Sequence, residues 1–247
     1  MIQVPTEKFK LHFQYNKKDL TKGFTLPGPS ITWSDIQRSE NQFAQQMSNM
    51  QQMSSAVSDF VLALTSFGTA ISLLRQNIFA SAGFALMGAV ASCGTYRFSR
   101  ASPSPGVLQL HQAMAWVTTI LGTSLVASGF HRRYDNSVMS AVHMGSALAL
   151  ICLSKVTDVL SMQTEEFLVS AVSSAAVVSI GVFSILHTNP FGILAAVLYG
   201  IAAAVGTTGE LASILRVDWF HYLLAFANVV FLRAFTYASP HVYYKDN

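Results

Sequence analysis

Residues 167–187 read FLVSAVSSAAVVSIGVFSILH: twenty consecutive positions without a charge, closed by a histidine. As a helix, twenty residues rise about 30 Å, the thickness of bilayer hydrocarbon. A water-soluble interior would not run so long without interruption, since a soluble domain carries roughly 25% charged residues. Working outward, six further apolar stretches fall at about 56–74, 77–96, 107–130, 137–154, 191–208 and 213–236. Chain-wide, 51% of residues are hydrophobic, 11% are charged, and mean hydropathy is +0.41. Ten of the 27 Asp, Glu, Lys and Arg residues lie before residue 56. These numbers exclude a soluble globular enzyme, a disordered chain and a disulfide scaffold. Only helices satisfy every backbone group inside lipid from such stretches, and the alternation a barrel needs is missing.

The reading is an all-α polytopic transmembrane bundle of about seven spans, occupying residues 55–237. Six spans remain an alternative, because the sixth and seventh stretches are short or polar. Residues 1–34 read as an irregular tail, punctuated by Pro5, Gly23, Pro27, Gly28 and Pro29, and residues 238–247 as a C-terminal tail. Ser34 and Gln37 have capping-box spacing, and Ile36, Phe43, Met47 and Met50 recur at helical spacing. Residues 35–54 therefore predict an amphipathic helix, lying on the membrane, docking on the bundle, or extending the first span. Lys8, Lys10, Lys17, Lys18, Lys22 and Arg38 make the N-terminal region basic. With no apolar run before residue 56, the expectation is an N-terminus on the inner, cytosolic or matrix-like side. Membrane lipids are the expected partners; nucleic acid is not, since Glu7, Asp19, Asp35 and Glu40 dilute the basic charge.

Small residues form stripes. Gly192, Ala196, Gly200 and Ala204 stand four apart in the sixth stretch. Such a ladder lets helix backbones approach closely, within the bundle or against another membrane subunit or a second copy. Cys93 and Cys152 sit in apolar stretches and read as small hydrophobes.

Ionisable residues at membrane depth are where chemistry is sought first. His143 lies nearest the middle of a span, about 5 Å from its centre along the axis. By topology His111, Gln112, Glu210, Asp218 and His221 gather toward one leaflet, with Tyr222 and Asn228 extending the polar region. Asp218 and His221 are i,i+3 neighbours, an arrangement in which a carboxylate orients an imidazole and fixes its tautomer. That pairing suits a proton relay, a metal ligand with its supporting carboxylate, or a plain helix-end ion pair, and the cluster as a whole could bind a polar solute or lipid headgroup. No H-x-x-x-H, H-E-x-x-H, C-x-x-C, G-x-S-x-G or phosphate-binding glycine loop occurs, so no catalytic residue, metal or cofactor is expected. The leading functional expectation is a non-enzymatic structural or accessory membrane subunit. The alternatives are a small-solute or proton-coupled transporter using the His and Asp residues, and a lipid-modifying enzyme.

Overall fold

The computed structural model describes the backbone of residues 33–100, 102–156 and 161–237, and side chains from residue 50 onward within those ranges, save residues 155 and 156. The tail expected over 1–34 lies outside the described residues as far as residue 32, and the tail over 238–247 lies outside them entirely. Residues 1–43 and 44–247 are separate units. Of the first, only the helical backbone from Trp33 is described.

The chain is helical almost throughout. Helix α1 (Trp33–Leu73) runs unbroken past residue 54. α2 is Ile78–Phe98, with Asn77 accepting from the Ala80 N–H at its start. The next rod, Pro105–Arg133, contains α3 (Pro105–Val117), a five-residue π segment Thr118–Gly122, and α4 (Thr123–Arg133). α5 is Ser137–Val156, α6 Met162–Leu186, α7 Pro190–Val205 and α8 Arg216–Thr236. Six of these rods are long and apolar enough to cross a membrane. The exception is α7, whose 16 residues rise about 24 Å, short of the ~30 Å hydrocarbon layer. The expected sixth stretch is thus the short one. A two-residue-loop hairpin, β1 (Glu210–Leu211) against β2 (Ile214–Leu215), joins α7 to α8.

Lipid tails are as apolar as leucine, so apolar burial alone does not drive helices together in a membrane; close approach and interhelical hydrogen bonds do. α4 shows both. Residues 124–131 are buried without exception, which requires neighbours on every side. α2 supplies Gly83, where a Cβ would sit 2.7 Å from the Gly122 carbonyl oxygen. α5 offers the Ser140 carbonyl to Ser128 Oγ at 2.9 Å. α6 packs Phe183 edge-on to the His131 ring at 4.4 Å. α7 brings Gly192 against Phe130, and α8 brings Phe235 edge-on to Phe130 at 5.6 Å. The main core continues through Leu73, Phe84, Ile180, Tyr199 and Phe231.

Asn189 closes the same end. It caps α7 by accepting from the Gly192 N–H, and its Nδ2 donates to Tyr134 Oη and to the Ala234 carbonyl, both at 2.9 Å. The Arg133 guanidinium donates to the carbonyls of Phe235 and Tyr237 as α8 ends, where a cation suits the helix dipole.

Toward the other end the core divides. Leu62, Ala63, Ala91 and Ala225 hold α1, α2 and α8 together, while Ile120, Ala147 and Leu150 hold the π segment, α5 and α6. α3 buries no residue at all.

The four-residue ladder of α7 is only half used. A Cβ on Gly192 would reach Ser184 Oγ at 2.1 Å, and Ala196 meets Gly181, but Gly200 has open space around it and Ala204 is exposed. The buried face runs instead through Gly192, Ala195, Leu198, Tyr199 and Ala202. A strict four-residue spacing drifts about 40° per step on a 3.6-residue helix, so the ladder turns off the packed face.

Candidate functional site

Two carboxylates and an imidazole at membrane depth gather on one seam, between α1 and α8. Asp218 lies in the first turn of α8, where the helix dipole favours a carboxylate, and is wholly buried. Ser54 Oγ donates to its Oδ2 at 2.6 Å, and Ser58 Oγ to its Oδ1 at 3.0 Å. One helical step along, His221 Nδ1 lies 3.1 Å from Ser58 Oγ and 3.3 Å from Asp59 Oδ1. Ser58 has a single hydroxyl proton. When that proton goes to Asp218, the hydroxyl oxygen is free to accept from His221 Nδ1. A proton on His221 Nδ1 has two acceptors within reach, Ser58 Oγ and Asp59 Oδ1, while a proton on Asp59 Oδ1 would have Nδ1 as its acceptor.

Asp59 is 2% exposed, and its Oδ2 has no hydrogen-bond partner among the described residues. Gly94 of α2 makes room for it, since a Cβ there would lie 2.2 Å from Asp59 Oδ2.

The seam continues toward mid-membrane. Asn228 Nδ2 donates to Ser66 Oγ at 2.9 Å, Tyr199 Oη donates to Asn228 Oδ1 at 2.7 Å, and Thr69 Oγ1 donates to the Asn228 carbonyl at 3.2 Å. Here every named group has a partner, and Asn228 is wholly buried.

The expected leaflet cluster comes together in part. Asp218 and His221 meet through Ser58. His111 does not join them: Arg97 Nη1 donates to His111 Nδ1 at 3.0 Å, and the Phe98 ring lies edge-on to it. A guanidinium only donates, so His111 is neutral with its proton on Nε2. Glu210 accepts from Gln51 at the exposed surface, and Gln112 and Tyr222 are exposed and outside the hydrogen-bonded group. Asp59 was not among the expected residues, although it is the one charge in the stretch 56–74.

His143 lies in a second place, toward the α4 end. Its Nε2 is 2.7 Å from Ser179 Oγ on α6, and His131 Nε2 is 3.2 Å from the same oxygen. The two rings stack with centroids 5.2 Å apart. Ser146 Oγ donates to the His143 carbonyl. Among the described residues no group of three or more His, Cys, Asp or Glu is placed to hold a metal ion.

No family model matches the chain, and no curated protein or solved structure matches it. What stands is an integral multi-pass helical membrane protein with a buried Asp–His–Asp group on its α1–α8 seam.

Proposed function

We propose that this protein is a proton-coupled carrier of a small solute, with Asp59, His221 and Asp218 as its proton-exchanging group. One observation carries the reading: Asp59, buried, with His221 Nδ1 at ion-pair distance and with Oδ2 unpartnered among the described residues. A seam built only to hold helices together would favour neutral, fully paired groups such as the Asn228–Tyr199–Ser66 set. Two carboxylates and an imidazole at membrane depth are costly by comparison, and a titrating site is the common reason to keep them. Ser54, half exposed, leads from the surface to Asp218, and Ser58 passes the contact on to His221. The divided core at this end supports the same reading, because α3, the first half of α6 and the end of α7 are loosely packed there.

The test is proton flux into proteoliposomes carrying an internal pH dye, driven by a potassium diffusion potential. Asp59→Asn and His221→Gln should each lower the flux at least about tenfold. Glu210→Gln and Tyr222→Phe should stay within about twofold of wild type, as both lie outside the hydrogen-bonded group. Equal flux in wild type and Asp59→Asn overturns the proposal.

A second reading, an accessory subunit packing against other membrane proteins, draws support from α5 and α6. Their apolar side chains at Val138, Val142, Phe167, Val178, Val182 and Ile185 are exposed on faces that lipid or another subunit would cover. On that reading Asp59→Asn and Asp218→Asn leave function intact.

A further inference from the structure

The His143–Ser179–His131 group lies on α5, α6 and α4, apart from the α1–α8 seam. Ser179 Oγ has one proton and two lone pairs, and three neighbours: the Ala176 carbonyl at 2.9 Å and the two imidazole Nε2 atoms. All three contacts are satisfied at once in one arrangement. The hydroxyl donates to Ala176, and both rings donate Nε2–H to the oxygen. His131 Nδ1 is then a bare acceptor. It is buried and has no partner among the described residues, which costs less for a lone pair than for an N–H.

Acid changes this balance. A proton added to His131 lands on Nδ1, where nothing accepts it. Protons on both rings place two like charges in a stack at 5.2 Å. The groups facing the pair offer no relief. α4 adds Arg132, over the Phe79 ring, and Arg133, on the end of α8. α6 adds Phe183 and, a turn further, His187 stacked on Tyr134. α5 adds Ser140, whose carbonyl is taken by Ser128. Among the described residues no carboxylate is at ion-pair distance from either ring.

α5 depends on this contact. Its buried residues form one stripe, Ser140, His143, Ala147 and Leu150. Among the described residues, the side-chain hydrogen bonds that tie it to other helices include the Ser128–Ser140 link and the His143–Ser179 link. The geometry points to an acid-released latch: His131, His143 and Ser179 hold α5 on α4 and α6 when at most one ring is charged, and release it when both are.

Hydrogen exchange of the full chain in detergent tests this, comparing segment 137–154 at about pH 8 and about pH 3.5, the lower value lying well below ordinary imidazole titration so that both rings can be charged. After correction for intrinsic exchange, wild-type protection there should fall at least about tenfold on acidification. His143→Gln keeps an amide that donates to Ser179 without titrating, and its loss should be under about twofold. His187→Gln should respond as wild type does. If His143→Gln does not fold, His131→Gln serves in its place, and imidazole nitrogen NMR of the wild type reports the charge on each ring. Unchanged wild-type protection, an equal fall in the glutamine variant, or two charged rings beside a still-protected α5 each overturn the latch.

Discussion

α3 and α4 are two halves of one rod, and they live in different surroundings. α4 has neighbours from five helices and buries residues 124–131 in full. α3, of similar length, buries none. The difference is not one of hydrophobicity: α4 carries Ser124, Ser128, His131 and two arginines, and α3 is the more apolar half. In lipid, burial follows from small residues and polar partners rather than from apolarity. Gly83, Gly122, Gly129 and Gly192 all crowd around α4, and Asn77, Asn189 and Ser128 tie it to its neighbours. The α3 end keeps a tight seam only among α1, α2 and α8, and the costly Asp–His–Asp group is placed there.

The largest expected effect tests that asymmetry directly. Gly83→Ala would press a methyl onto the backbone oxygen of Gly122 and the backbone nitrogen of Val126, neither of which can move alone. Overpacking of this kind should cost about 1–3 kcal/mol, read as a fall in unfolding temperature in detergent. Gly94→Ala, at the divided end, meets first the Asp59 carboxylate, the far end of a side chain rather than backbone. It should cost less stability while breaking the Asp59–His221 contact, so its signature is lost proton flux at nearly normal melting.

Asn189→Ala comes next. It removes the α7 cap and leaves Tyr134 Oη and the Ala234 carbonyl without their donor, for a loss of about 2 kcal/mol. Asn228→Ala should cost about 1 kcal/mol, since interhelical hydrogen bonds in membranes average well below the values expected in a dry core. A larger loss at Asn228 than at Asn189 would place the stronger polar tie on the α1–α8 seam and undo the contrast drawn here.

The smallest effects should be gains. Gly200 has open space around it, so Gly200→Ala should stabilise α7 by roughly 0.5–1 kcal/mol through backbone entropy. Ala212 and Ser213 form the hairpin loop with φ of 53° and 65°. Both positions favour Asn or Gly in such a loop, and the pair Ala212→Asn with Ser213→Gly should gain up to about 1 kcal/mol. Chemical denaturation of the two variants side by side measures both.

The spans were legible in the sequence because length and the absence of charge are enough to define them. Asp218 and His221 were legible as i,i+3 neighbours on one helix. Their partner Asp59 was not singled out, because a single acid near the start of an apolar stretch resembles an interfacial residue until its neighbour on a distant helix is seen. His131 falls just past the apolar stretch 107–130, whereas the helix continues through Arg133 and the ring turns inward. The ladder on α7 suggested a continuous packing seam, but spacing alone does not reveal where two helices diverge. Nothing in residues 118–122 announced a π segment, since that choice depends on Thr118 reaching the Leu86 carbonyl and on Ser173 reaching the carbonyl of Thr119.

That π segment has a bearing on the whole rod. One extra residue in a turn shifts the angular phase of everything after it by about 100°. The face that α3 presents to α2 is therefore not the face that α4 would inherit from a regular helix. Winding residues 118–122 as ordinary α-helix, with none of them removed, would swing Ser128 and His131 away from α5 and α6 while leaving their chemistry unaltered. The rod thus works as a rotational offset, holding two incompatible alignments in one continuous piece of backbone.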